Sequence, residues 1–164
     1  MIPLTDVGWQ TQSWQALLKS AITDPVELAT ILQIDVPIFR SEFPLLVPWP
    51  YLSRIRPGDP LDPLLLQVLP QPREALDVPV YVAGRLQERD QSPIPGVIQK
   101  YDGRLLVVDT GACGINCRYC FRRHFPYAEF QPSRAAWDQI ISTVAADSSI
   151  TEVILSGGDP LLLN

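Results

Sequence analysis

The sequence predicts a mixed α/β chain: a helical, proline-broken region over residues 1–96, then a βαβ unit over residues 97–164. Three observations predict it. All but three of the 17 prolines lie before residue 96, in a region where apolar residues otherwise recur at helical spacing. The unbroken apolar run Leu105–Val108 has the pattern of a parallel strand covered on both faces, and Val153–Leu155 makes a second short strand. Between them lies a stretch with a single apolar helical face, so the order is strand, helix, strand.

Each element has its own signal. Trp14, Leu17, Leu18, Ala21 and Ile22 follow i, i+3, i+4, i+7, i+8 and predict a first helix. Asp24 opens a second: its carboxylate can cap free N–H groups, Pro25 suits the first helical position, and Glu27 completes a box resembling the capping box. Leu28, Ile31 and Leu32 form its buried face, and Pro37 is expected to stop it soon after. Asp62-Pro63 repeats the start signal ahead of the apolar run Leu64, Leu65, Leu66, Val68 and Leu69. Pro70, Pro72, Pro79, Pro93 and Pro95 forbid long regular elements, so residues 70–100 are expected to be irregular and to wrap over a surface. Ser133 can cap a helix whose face is Trp137, Ile140, Ile141, Val144 and Ala145. The two strands should be parallel, joined by a right-handed crossover. The loop after the first strand and the turn Ser156-Gly157-Gly158-Asp159-Pro160 after the second then open on the same side.

Composition narrows the function classes. With 46% hydrophobic and 19% charged residues, the chain can bury a core, which excludes general disorder. No run of 18 uncharged apolar residues occurs, so no membrane-spanning helix is expected, and MIPLTDVGWQ lacks the basic start and apolar run of a secretory signal. The net charge is −5 and the only lysines are Lys19 and Lys100, a poor match to nucleic-acid binding through phosphates.

The chemistry concentrates in one place. All three cysteines fall in Cys113-Gly-Ile-Asn-Cys117-Arg-Tyr-Cys120, a C-x3-C-x2-C spacing that lets three thiols point into one small volume. An odd count with no cysteine elsewhere argues against a disulfide framework. Zinc would need a fourth ligand, for which His124 is the sole histidine. A [4Fe–4S] cluster held by three thiolates keeps one iron open. S-adenosylmethionine (SAM) can chelate that iron through its amino and carboxylate groups, and SAM with iron–sulfur centres is a carrier of radical chemistry. After the second strand, Gly157 and Gly158 can let backbone approach a ligand, and Asp159 can either accept an ammonium group or simply cap the following turn.

The C-x3-C-x2-C loop after a first βα-barrel strand, with the aromatic Tyr119 before the last cysteine, resembles the radical SAM superfamily. Its glycine-rich turn is usually Gly-Gly-Glu; here the acid is Asp159. Lys100-Tyr101-Asp102-Gly103-Arg104, Cys-Arg-Tyr-Cys-Phe-Arg-Arg-His-Phe and Ser-Gly-Gly-Asp-Pro together resemble lysine 2,3-aminomutase. Phe121-Arg122-Arg123-His124-Phe125-Pro126-Tyr127 with the Trp14–Leu32 start is most similar to the branch that serves elongation factor P.

That resemblance implies a fold, the first βαβ unit of a radical SAM βα barrel, and an activity, formation of (R)-β-lysine from lysine for a partner ligase to attach to elongation factor P. It implies that Cys113, Cys117 and Cys120 hold the cluster and that Gly157, Gly158 and Asp159 meet the methionyl end of SAM. It also implies that Arg104, with Tyr101 beside it, contacts the phosphate of pyridoxal 5′-phosphate (PLP), and that Arg122 pairs with the substrate carboxylate. The bland alternative for Arg118, Arg122 and Arg123 is a solvated basic loop. The PLP lysine and the rest of the barrel are expected beyond Asn164, so no catalytic lysine is assigned, the barrel is expected to be partial with exposed strand edges, and these residues alone are not expected to complete the aminomutase reaction. Aminomutases of glutamate or another amino acid, and a Cys3His zinc module, remain the alternatives. A cytoplasmic location is expected, because an exposed cluster needs a reducing compartment.

Overall fold

A computed structural model describes residues 7–79, 94–130 and 132–163. The part of the proline-rich stretch that falls at 80–93 lies outside the described residues. The chain forms two compact units, one of Met1–Pro79 with Gly114–Cys120 and one of Val80–Cys113 with Phe121–Asn164.

The first unit is built from short helices around one apolar cluster. Helix α1, Trp14–Lys19, is capped by Ser13, whose hydroxyl accepts from the Ala16 N–H at 3.3 Å. The expected face is cut short, because Ala21 and Ile22 lie beyond the helix and Ile22 instead pairs antiparallel with Val47. The cause is local. Asp24 must be extended to cap the next helix and precedes a proline, so the chain cannot remain helical up to it. Helix α2, Pro25–Leu32, begins where the Asp24-Pro25 signal places it, with Asp24 Oδ1 accepting from the Val26 N–H at 2.8 Å. Glu27 makes no return bond to the cap among the described residues, so only half of the expected box forms. The helix ends four residues before Pro37, at Gln33, whose left-handed φ of 55° lets the Ile34 N–H close back on the Ala29 carbonyl. Helices α3, Trp49–Leu52, and α4, Leu65–Val68, are single turns. Buried Asp62 starts α4 by accepting from the N–H groups of Leu64 and Leu65. Leu28, Leu32, Val47, Leu52, Leu65 and Val68 form the centre of this core, each at most 1% exposed.

The second unit contains a three-stranded sheet in the order β1-β2-β3. Strand β1, Val97–Tyr101, corrects the expectation that residues 70–100 are irregular throughout. It runs antiparallel to β2, Arg104–Thr110, through the two-residue turn Asp102-Gly103, with Gly103 at a φ of 72°. A single-turn helix α5, Tyr127–Phe130, precedes α6, Arg134–Ala146, which Ser133 caps by accepting from the Ala136 N–H at 3.2 Å. Strand β3, Glu152–Gly157, then pairs parallel with β2, as the βαβ reading requires. Strand β2 is covered on both faces: Leu105 and Val107 pack with Ile140 and Trp137 of α6, while Val108 packs with Ile98 and Phe130. Strand β3 is an edge, with Val153 43% and Leu155 52% exposed, and Ile141 and Ala145 of the expected helix face are exposed as well.

Candidate functional site at the cysteine loop and the strand ends

The carboxyl ends of β2 and β3 are locked to each other by backbone. The Gly158 N–H donates to the Thr110 carbonyl and the Asp159 N–H to the Ala112 carbonyl, each at 2.7 Å. A Cβ on Gly157 would collide with the Thr110 carbonyl oxygen, and one on Gly158 with the Ala112 carbonyl oxygen. Gly157 also has a φ of 125°. The two glycines are therefore needed first for strand-to-strand contact, a reason the sequence alone did not distinguish from ligand approach. The same bonds place the turn beside the chain that leads from β2 to Cys113.

Asp159 caps the 3-10 turn Pro160–Leu162 by accepting from the Leu161 N–H through Oδ1 at 3.1 Å. Its Oδ2 makes no hydrogen bond among the described residues. Arg122 is 6% exposed; its Nη1 donates to Ser156 Oγ at 2.6 Å, and its guanidinium lies over the rings of Phe121 and Phe125 at 5.0 and 5.8 Å. Arg122 is thus not part of a solvated basic loop. Tyr127, which sequence reasoning passed over, donates from its hydroxyl to the Gly157 carbonyl at 3.0 Å and packs its ring against Gly111. Asp109 was also passed over. It is 3% exposed and neither carboxylate oxygen has a hydrogen-bond partner among the described residues. Burial pushes its carboxyl above the usual value, and the charge of Asp159 adds to that.

Arg104 and Tyr101 sit elsewhere. Arg104 is paired in register with Glu152 at the opening of β2, six residues from the Thr110 pairing with Gly157, or about 20 Å along the strand. Its guanidinium forms an ion pair with Glu152, its side chain is 53% exposed, and Tyr101 is 67% exposed. Arg104 and Tyr101 therefore lie at the opposite end of the strands from the Gly157-Gly158-Asp159 turn.

The cysteine loop from Gly114 to Cys120 belongs to the first unit. None of the three cysteines forms a disulfide, and all are partly exposed. The Cys120 N–H donates to the Cys117 carbonyl at 3.1 Å. Burial raises the Cys117 thiol, and the neighbouring Cys120 raises it further. Among the described residues, no three Cys, His, Asp or Glu side chains stand close enough to hold a metal ion, and exposed His124 is not brought into such a group. The chemistry of the donors, three thiols with none tied in a disulfide, is that of an iron–sulfur ligand set.

Comparison with known proteins bears on that donor set. Residues 102–164 match the family described as a 4Fe-4S single cluster domain. Across 99% of its length the chain is 39% identical to the L-lysine 2,3-aminomutase of Haemophilus influenzae, covering 50% of that protein. It is 40% identical to the Escherichia coli enzyme of the same name, over 92% of this chain and 46% of that one. The corresponding protein of Buchnera aphidicola is 39% identical over the same shares. The chain belongs to the lysine 2,3-aminomutase family.

Within that family the chain spans about half the length of the curated relatives it matches. The similarity runs through both compact units of this aminomutase-family chain, so the helical first unit is as much part of the resemblance as the cysteine loop. No helix among the described residues is long and apolar enough to cross a membrane.

Proposed function

We propose that this chain carries the cluster-holding and SAM-binding part of a radical SAM L-lysine 2,3-aminomutase that makes (R)-β-lysine. The observation that carries the reading is the set of three thiols in C-x3-C-x2-C spacing, none in a disulfide, within a chain similar along almost its full length to L-lysine 2,3-aminomutases. Cys113, Cys117 and Cys120 bind three irons as thiolates, for which their protons must leave. A [4Fe–4S] cluster bound in this way supplies the electron that breaks the sulfonium C–S bond of SAM. Asp159 Oδ2 accepts from the methionyl ammonium, while the Gly158 and Asp159 N–H groups, already committed to Thr110 and Ala112, hold the turn in place. Arg122 offers its guanidinium to the substrate carboxylate, with Ser156 and the flanking rings of Phe121 and Phe125 fixing its plane. PLP belongs to this reading as the family's cofactor, with Arg104, and Tyr101 beside it, proposed to meet its phosphate. A ligase acting on elongation factor P is the partner we propose to use the product, in the reducing cytoplasm.

Anaerobic reconstitution with iron and sulfide tests the reading. The expected result is about four irons and four sulfides per chain. Added SAM should change the paramagnetic spectrum of the reduced cluster and be cleaved to 5′-deoxyadenosine, and Cys117→Ser should lose both responses. One zinc per chain without sulfide would replace this reading with the zinc module.

A further inference from the structure

We propose that the buried ion pair between Glu74 and Arg118 is the positioning device of the cysteine loop, holding the Cys117–Cys120 turn in place before any metal arrives. The inference rests on the cluster reading above and concerns residues to which that reading gives no part.

Arg118 stands between two of the thiols, and it is anchored at both its backbone and its side chain. Its N–H donates to the Gln67 carbonyl at 2.7 Å. Its guanidinium grips Glu74 in a two-pronged fork, Nε to Oε1 at 3.0 Å and Nη2 to Oε2. The remaining edge, Nη1, donates to the carbonyls of Phe43 at 3.0 Å and Pro44 at 3.4 Å, and the plane lies over the Phe43 ring at 5.0 Å. The two side chains are 7% and 10% exposed, the burial of a core pair rather than of a surface pair. Glu74 is held in turn by the Gln71 N–H at 2.9 Å and the Ser41 hydroxyl at 3.2 Å.

Neighbouring residues add to the grip. The Asn116 N–H donates to the Leu46 carbonyl at 3.2 Å, Ile115 packs on the apolar core, and the Tyr119 hydroxyl donates to Gln67 Oε1 at 3.2 Å. Residues 115–119 are therefore fastened to segments 43–46, 67 and 74 of their own unit, with Cys117 inside the fastened stretch and Cys120 directly after it. An unfastened loop would lose conformational entropy when the metal bound. A fastened loop has met that cost on folding. Supporting residues behind metal ligands act in this way, and removing one weakens metal binding by roughly 10–100-fold.

The test uses Glu74→Gln, which keeps one of the two acceptor oxygens, for either the Gln71 N–H or the Ser41 hydroxyl, and removes the charge, and Arg118→Lys, which keeps the charge but removes the fork. Circular dichroism establishes which of the two folds. In a folded variant, the reconstituted cluster should be lost to an iron chelator about 10–100-fold faster than in the wild-type chain. Combining both changes should be little worse than the more damaging single change, because they interrupt one linkage. Alkylation of the metal-free chain gives a readout independent of the cluster: Cys117 should react several-fold faster in either variant, as its half-buried thiol is released. Wild-type rates of both cluster loss and Cys117 alkylation in a folded variant would overturn the proposal. Failure of the wild-type chain to take up iron and sulfide would overturn the cluster reading instead, and the alkylation rates would still decide whether the pair positions the loop.

Discussion

Replacing Asp109 with asparagine should stabilise the sheet at neutral pH, and the size of the gain should depend on pH in a defined direction. The carboxyl is 3% exposed at the end of β2, and neither oxygen has a hydrogen-bond partner among the described residues. Burial raises its pKa first of all; the backbone N–H groups of Asp109 and Thr110 offset part of that, and the charge of Asp159 raises it further. A raised acid holds its proton more tightly in the folded chain than in the unfolded one. Its favourable contribution is therefore complete below the ordinary carboxylate value of 3.8 and is lost as pH rises through the raised value, at up to about 1.4 kcal/mol per pH unit. Once ionised, a buried carboxylate with no well-formed hydrogen bond costs about 1–3 kcal/mol. Asparagine has nearly the same shape and no charge. The stability difference between Asp109→Asn and wild type should grow from near zero around pH 4 to about 1–3 kcal/mol in favour of the variant around pH 8. Urea unfolding across that range measures the difference, and hydrogen exchange of the Leu105 and Val107 amides localises it to β2. A difference that is constant with pH, or that favours aspartate around pH 8, would refute the reasoning.

Other substitutions test the remaining structural claims. Gly158→Ala should destabilise the β2–β3 junction by about 1–3 kcal/mol, since its Cβ meets the Ala112 carbonyl oxygen, a backbone atom that cannot swing aside; denaturant midpoints equal to wild type would show that the strand ends are not so close. Asp62→Ala should cost about 1–2 kcal/mol through loss of the α4 start. Burial alone would raise the Asp62 carboxyl, but the N–H groups of Arg56, Leu65 and Leu64 and the Arg56 guanidinium outweigh it and lower the pKa. Its contribution is therefore present above about 3.8 and lost as pH falls through the lowered value, so the alanine variant should show a weaker acid dependence in the same unfolding assay. Arg104→Ala removes only an exposed pair with Glu152 and should change stability by less than about 1 kcal/mol; a larger loss would mean that Arg104 supports more than the sheet edge.

Much of the local structure was legible because it is specified by residues adjacent in the chain. Asp24-Pro25 and Ser133 placed the starts of α2 and α6, and the apolar runs at 105–108 and 153–155 located a parallel strand pair. Strand β1 escaped notice because the prolines of residues 70–95 dominated the reading, although Asp102-Gly103 between Tyr101 and Arg104 is a hairpin signal in its own right. Ala21 and Ile22 were misplaced onto α1 because periodicity does not register that Asp24 must be extended before its proline.

The sequence by itself determined the thiol spacing, the family and the two glycines, since each of these is written in consecutive residues. Only the tertiary structure decided what surrounds them. Glu74 lies 44 positions from Arg118, and nothing in the one-dimensional pattern marks it as that arginine's partner. Asp109 reads as one more acid until the sheet closes over it, and Arg104 gains Glu152 as its neighbour only through the register of β2 with β3. The physical reason is the same in each case. Helix caps and turns are satisfied by near neighbours, whereas the burial of a charge and the choice of its partner depend on which distant segments the apolar core draws together.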